Sequence, residues 1–212
     1  MRYTILAALV IVGSLEAGDW QFTGAAGFGD YRYLSYQSPA GDAQAGIGPR
    51  YVLNAGVGRA FGDRFVVQGE WTFQDGDFEI SSGGRKTAFD ANAYSVQGDV
   101  LFYLRRGASR WRPYLAGGSG AKLYHGQEAP HPRPLGQFGS FRDGIDARPL
   151  FTFGGGVEVP LSTRFALRLD VRDYATPFPA SVIVAAPGSN LSGWLHDLVA
   201  VGGLELRIHK FH

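Results

Sequence analysis

The sequence predicts an all-β protein: eight antiparallel strands, joined up-and-down and closed into a transmembrane β-barrel. Three observations predict it. Apolar and polar residues alternate with period two in eight separate stretches. The connections between them are alternately short and long, so tight turns gather at one end and longer loops at the other. Beyond the N-terminus no segment has the ~18 unbroken apolar residues of a transmembrane helix. Closed strands then remain as the way to pair every backbone polar group in hydrocarbon.

The chain opens with Arg2, an apolar run from Ile5 to Val12 and then small residues. That order predicts a secretory signal peptide over 1–17, cleaved after Ala17, with the barrel over 18–212. The first strand is expected from about Trp20 to Tyr33, with Trp20, Phe22, Gly24, Ala26 and Phe28 in one phase. The second runs from Arg50 to Phe61, and the third from Arg64 to Phe78, where Phe65, Val67 and Trp71 oppose Gln68, Glu70 and Thr72. The fourth, Ala88 to Leu104, sets Tyr94, Val96, Val100 and Phe102 against Ser95, Gln97 and Asp99. The fifth, Arg112 to His125, is glycine-rich; the sixth, Pro149 to Val159, opposes Phe151 and Phe153 to Thr152 and Glu158. The seventh, RFALRLDVRDY over 164–174, alternates Phe165, Leu167, Leu169 and Val171 with Arg168, Asp170 and Arg172. The eighth runs from Asp197 to about Phe211. Short turns are expected at 61–64, 105–110 and 160–163, and longer loops at 34–49, 79–87, 126–148 and 175–196.

Composition agrees. Glycine is 31 of 212 residues, about twice its ordinary ~7% share, and sits within apolar, aromatic segments without a collagen-like period. The net charge of +1 gives no reason to expect nucleic acid. The absence of cysteine removes disulfides and thiolate chemistry.

A soluble barrel of the lipocalin kind also alternates, with its apolar face inward. The sorted loops favour the membrane, and so do aromatics near strand ends: Trp20, Phe61, Phe65, Phe73, Phe78, Phe102, Tyr103, Trp111, Tyr114, Phe151, Phe165, Tyr174 and Trp194. Carrying the phases through sends Glu70, Asp99, Lys122, Glu158, Arg168, Asp170, Arg172, Glu205 and Arg207 to the interior. An eight-stranded lumen is just wide enough for side chains, so these charges must pair there. Arg168, Arg172 and Arg207 are expected to pair with Asp170, Glu205, Glu158 or Glu70, with Arg172–Glu205 and Arg168–Arg207 as candidate neighbours.

The segments RWRPYLAGGSGAKLY (110–124), FTFGGGVEV (151–159), LRLDVRDY (167–174) and VGGLELRIHKF (201–211) give the chain its resemblance. It resembles the small outer-membrane β-barrel proteins of Gram-negative bacteria, of the outer-membrane protein A transmembrane-domain, porin-like type. The resemblance implies outer-membrane lipids and lipopolysaccharide as surroundings, the barrel-assembly machinery as a partner in biogenesis, and a monomer. It also implies that Phe211 is the assembly signal, although here it is penultimate and out of phase with Leu204, Leu206 and Ile208.

No catalytic or cofactor motif is legible. The histidines show no His-x-x-x-His or His-Glu-x-x-His spacing, and His125 and His131 read as solvated loop residues rather than metal ligands. GGSGAK at 117–122 lacks phosphate-loop spacing, and GGG at 154–156 reads as small residues where strands bend or pack closely. The apolar run Val182–Val184 is expected to pack on its own barrel, with a docking patch as the alternative. The expected role is structural or adhesive, through external loops and without enzymatic activity or cofactors. A narrow channel for small solutes is the first alternative, and a secreted soluble barrel holding an apolar ligand the second.

Overall fold

The computed structural model describes residues 17–48, 50–105, 109–126 and 135–208. The expected signal segment up to residue 16 and the expected assembly signal Phe211 lie outside the described residues. Fourteen strands follow in order. They are β1 (Ala17–Tyr31), β2 (Leu34–Ser38), β3 (Gly41–Ile47), β4 (Arg50–Phe61), β5 (Phe65–Asp75), β6 (Phe78–Ser82) and β7 (Arg85–Phe89). Then come β8 (Ala91–Tyr103), β9 (Arg112–Gly126), β10 (Gly139–Phe141), β11 (Gly144–Pro160), β12 (Phe165–Pro177), β13 (Ile183–Ala185) and β14 (Trp194–Ile208).

Eight of these close a barrel in the order β1-β14-β12-β11-β9-β8-β5-β4. Every neighbouring pair is antiparallel, and β1 meets both β14 and β4, so no edge is left open. The pleat decides which face is which. Leu169 and Val171 are 47% and 48% exposed, whereas Arg168 and Arg172 are 4% and 2% exposed. The same holds around the wall: Phe22, Leu53, Val67, Trp71, Val96, Val100, Leu115, Phe153 and Leu204 all face outward. This is the reverse of a lipocalin, and its apolar exterior is one that hydrocarbon, not water, solvates.

The sequence placed the turns well and misread the loops. Barrel strands join directly through 62–64, 104–111 and 161–164 at one end. At the other end the four long connections are themselves folded. Two of them form hairpins, β2–β3 and β6–β7, which join through β3 and β6 into a four-stranded sheet. The other two meet as β10 against β13. Gly83 and Gly84, with φ of 56° and 75°, make the tight turn of β6–β7 that other residues resist.

Beneath this sheet lies the largest apolar core of the molecule. Tyr36, Ile47, Phe78, Ile80, Phe89, Phe138, Phe141, Phe178, Val182, Ile183 and Leu195 are all buried in it. Phe78 stacks on Phe89 at 6.4 Å, and Phe89 on Phe141 at 5.3 Å between ring centroids. Val182 and Ile183 therefore pack into the protein's own roof rather than forming an external patch. The aromatic girdle is also smaller than expected. Trp20, Phe65, Trp111, Phe151, Phe165 and Trp194 face outward, but Phe78 belongs to the roof, and Tyr103, Tyr114 and Tyr174 point inward.

Ile183→Asp would bury an unpaired carboxylate in the roof, at a cost of several kcal/mol. The expected outcome is a loosened roof on an intact barrel. Trypsin should cleave at Arg85, Lys86 or Arg142 while the unboiled protein keeps its compact gel mobility; unchanged protease resistance would contradict this placement of the core.

Candidate functional site

The lumen is the candidate site, and its floor plan follows from alternation. β12 sends Arg168, Asp170 and Arg172 inward, β5 sends Gln68, Glu70 and Gln74, and β8 sends Gln97 and Asp99. β9 and β11 contribute small inward residues where the large ones need room. A Cβ on Gly118 would stand 2.0 Å from Asp99 Oδ1, and one on Gly156 would stand 2.4 Å from the Tyr114 hydroxyl.

The centre is organised by Arg172. Its Nε donates to Asp170 Oδ1 at 2.7 Å and its Nη1 to Asp99 Oδ2 at 2.8 Å, and Glu70 Oε2 lies 3.6 Å from Nη2. Asp99 also accepts from Thr152 at 2.8 Å, and Glu70 from the Tyr174 hydroxyl at 3.1 Å. Arg168 donates to the Tyr114 hydroxyl at 2.8 Å, to Gln68 Oε1 at 2.9 Å and to Asp170 at 3.2 Å. Tyr114 in turn donates to Asp170 at 2.5 Å.

Two further groups extend this column. Towards the turns, Glu158 accepts from Tyr103 at 2.8 Å and Arg112 at 3.3 Å and pairs with Arg207. Arg207 also donates to Glu205 at 2.9 Å. Towards the roof, the Lys122 ammonium lies 3.0 Å from Asp197 Oδ2 and over the rings of Tyr31, Tyr124 and Tyr174 at 4.8, 5.6 and 5.4 Å. Gln74 donates to Asp197 at 2.6 Å and accepts from Tyr31 at 2.9 Å. Between the centre and the wall, a cavity of ≈ 10 Å³ remains, about the room for one water molecule.

All the charges expected inside are inside, Lys122 and Arg207 included. Their pairing differs in one respect. Register sets Arg172 opposite Val199, Arg168 opposite Gly203 and Glu205 opposite Ala166, so neither Arg172–Glu205 nor Arg168–Arg207 is a cross-strand pair. Glu205 instead approaches Arg168 at 4.0 Å. The sequence reading missed Asp197, Arg112 and the inward tyrosines. Phase could have found the tyrosines, since Tyr114 shares its face with Lys122. One pair that spacing did not suggest also forms: His196 Nδ1 lies 2.6 Å from Asp173 Oδ2, on the outer wall beside Leu198.

The arrangement predicts a graded response to loss of charge. Arg172→Met removes the cation that three buried carboxylates share and should cost about 3–5 kcal/mol. Arg207→Met, whose side chain is 17% exposed, should cost less. The urea midpoint of tryptophan fluorescence in detergent would check the order; equal shifts would contradict it.

Neither a protein-family model nor a curated protein matches the chain. Solved structures match it in shape. Outer membrane protein OprG from Pseudomonas aeruginosa superposes with a TM-score of 0.56 at 14% identity, over 91% of this chain and 97% of that one. Neisserial surface protein A superposes with a TM-score of 0.53 at 12% identity, over 91% of this chain and 99% of that one. At such identities the likeness is one of fold. The chain has the fold of the small eight-stranded outer-membrane β-barrels.

Proposed function

We propose that the protein is a monomeric, non-enzymatic barrel of the bacterial outer membrane that acts through the folded β-structure on its loop end. The observation that carries this reading is the four-stranded sheet above the roof. Its inner face is buried, and its outer face is a polar row. Ser35, Gln44, Ser81 and Lys86 stand opposite one another across β2, β3, β6 and β7. With Gln37 and Asp42 they line an open groove of ≈ 960 Å³.

Local bonds hold that face in shape. Lys86 pairs with Glu79 at 2.6 Å, and the Tyr33 hydroxyl donates to the same carboxylate. Burial first, and then this hydrogen bond, hold the Tyr33 hydroxyl above its ordinary range, so it stays a donor. A Cβ on Gly46 would stand 2.6 Å from the Tyr33 ring, so glycine lets the ring lie flat on the sheet. A rigid polar surface of this kind suits recognition, because little ordering entropy is lost on binding.

A filled column and an apolar roof favour this role over conduction of small solutes. Planar bilayers containing the protein should stay silent at all voltages, and unitary steps would sink the closed-lumen reading. Cells displaying the protein should adhere to glycan- or protein-coated surfaces better than cells lacking it. Replacing Ser35, Gln44, Ser81 and Lys86 with alanine should remove that gain; adhesion unaffected by the quadruple variant would sink the role of this face.

A further inference from the structure

Charge is unevenly distributed along the barrel axis. At the turn end Arg105, Arg110 and Arg164 are exposed and Arg59 and Arg64 partly so. The acids with exposure there, among the described residues, are Asp19 and Asp63, which line the mouth of the lumen with Arg112 and Arg207. At the loop end the exposed charges balance, Asp30, Asp42, Asp90 and Asp143 against Arg32, Arg85, Lys86 and Arg142.

Three of the turn-end arginines are seated on aromatic rings. The Arg59 guanidinium lies 5.5 Å from the Trp20 centroid, Arg64 lies 5.9 Å from Phe102, and Arg105 lies 3.9 Å from Trp111. Trp20 and Arg59 are register partners across β1 and β4, and Phe102 faces Phe65 across β5 and β8. Since β1, β4, β5, β8 and β9 are successive around the barrel, the three couples form one continuous arc.

A ring beneath a guanidinium engages its face and leaves the in-plane N–H groups for acceptors. The Nε atoms of Arg59 and Arg64 are buried and without an acceptor among the described residues, so only the rest of each partly exposed side chain is open to a ligand. Trp20 and Trp111 are outward-facing, at the level where aromatic belts meet lipid headgroups. The exposed Arg105 and the partly exposed Arg59 and Arg64 therefore stand at the level of the phosphates, and phosphate is the group whose oxygens match the guanidinium fork.

We propose that this arc binds the phosphates of anionic glycerophospholipids in the leaflet at the turn end. The inference rests on the membrane-spanning reading. Zwitterionic lipids carry their own ammonium beside the phosphate, so the arc should select headgroups without one. Arginines near such a surface attract anionic headgroups, and a preference on the order of tenfold, about 1.4 kcal/mol, is expected.

Native mass spectrometry of the folded barrel in detergent tests this. Equimolar phosphatidylglycerol and phosphatidylcholine are added in one experiment, and phosphatidylglycerol and lipid A in another. Wild type should retain phosphatidylglycerol over phosphatidylcholine by about tenfold, and over lipid A as well. The triple variant Arg59→Gln, Arg64→Gln, Arg105→Gln should lose the preference while keeping its unboiled gel mobility. Arg105→Gln alone, at an exposed position, should lose part of it even where the triple variant folds poorly. The loop-end pair Arg32→Gln, Arg142→Gln should keep it. Equal retention of the two phospholipids, a preference untouched by both turn-end variants, or stronger retention of lipid A would overturn the proposal. Failure of the wild type to enter lipid vesicles would instead overturn the membrane reading beneath it.

Discussion

Arg172 is held by carboxylates from three strands in a lumen too narrow to surround them with water. Asp170 comes from its own strand β12, Asp99 from β8, and Glu70 from β5. In the barrel order, β5 stands four places from β12, directly across the lumen. The bond from Arg168 to Gln68 crosses the same diameter. Closure by backbone pairing fixes how wide the barrel is, and these cross-lumen bonds fix what may stand inside it. A charge buried in such a column has no solvent to fall back on, so each acid requires its base. One inward residue each of β5, β8 and β12 is thereby constrained by one guanidinium.

That requirement explains the glycines. A column of arginines and tyrosines is bulky, and eight strands do not leave space for it on all sides. Small residues on β9 and β11 vacate one wall where Asp99, Arg172 and Tyr114 occupy the centre. It also separates the two kinds of packing. Polar groups that pair with one another form the column through the membrane-spanning part, flanked by small apolar clusters such as Val66 with Leu101 and Val52 with Leu150. Apolar groups expelled from water build the roof, where the loops meet above the strand ends. The caged Lys122 lies between the two, with Asp197 on one side and tyrosine rings on the others.

Period-two alternation made the barrel legible, because inward and outward sets differ so sharply in chemistry. Once the sorted loops and the aromatics favoured a membrane barrel, the alternation of RFALRLDVRDY assigned Arg168, Asp170 and Arg172 to the lumen. Pairing could not be read, since it depends on register, and a shift of two residues keeps every side chain on its face while changing every partner. The tyrosines were misplaced for a different reason. Tyr103 and Tyr114 lie at strand ends, where aromatic character suggests a girdle, but their hydroxyls are satisfied by Glu158 and Asp170 inside. The roof was hidden by the brevity of its strands. ISSGGRKTAF carried a Gly-Gly hairpin signal, yet five-residue strands on either side of it offer too little alternation to stand out within a loop.

The two ends of the barrel thus meet different surroundings with different chemistry. The turn end offers guanidiniums on aromatic rings at the edge of the hydrocarbon belt. The loop end offers a hydrogen-bonding sheet stiffened by the core beneath it. A loop that is ordered before it binds does not lose conformational entropy at the moment of binding, and its polar groups hold their spacing. The apolar roof closes the lumen and also provides the foundation for that surface. Covering the barrel and supporting that surface are consequently one structural solution: the apolar residues packed above the strand ends are those that hold Ser35, Gln44, Ser81 and Lys86 in line.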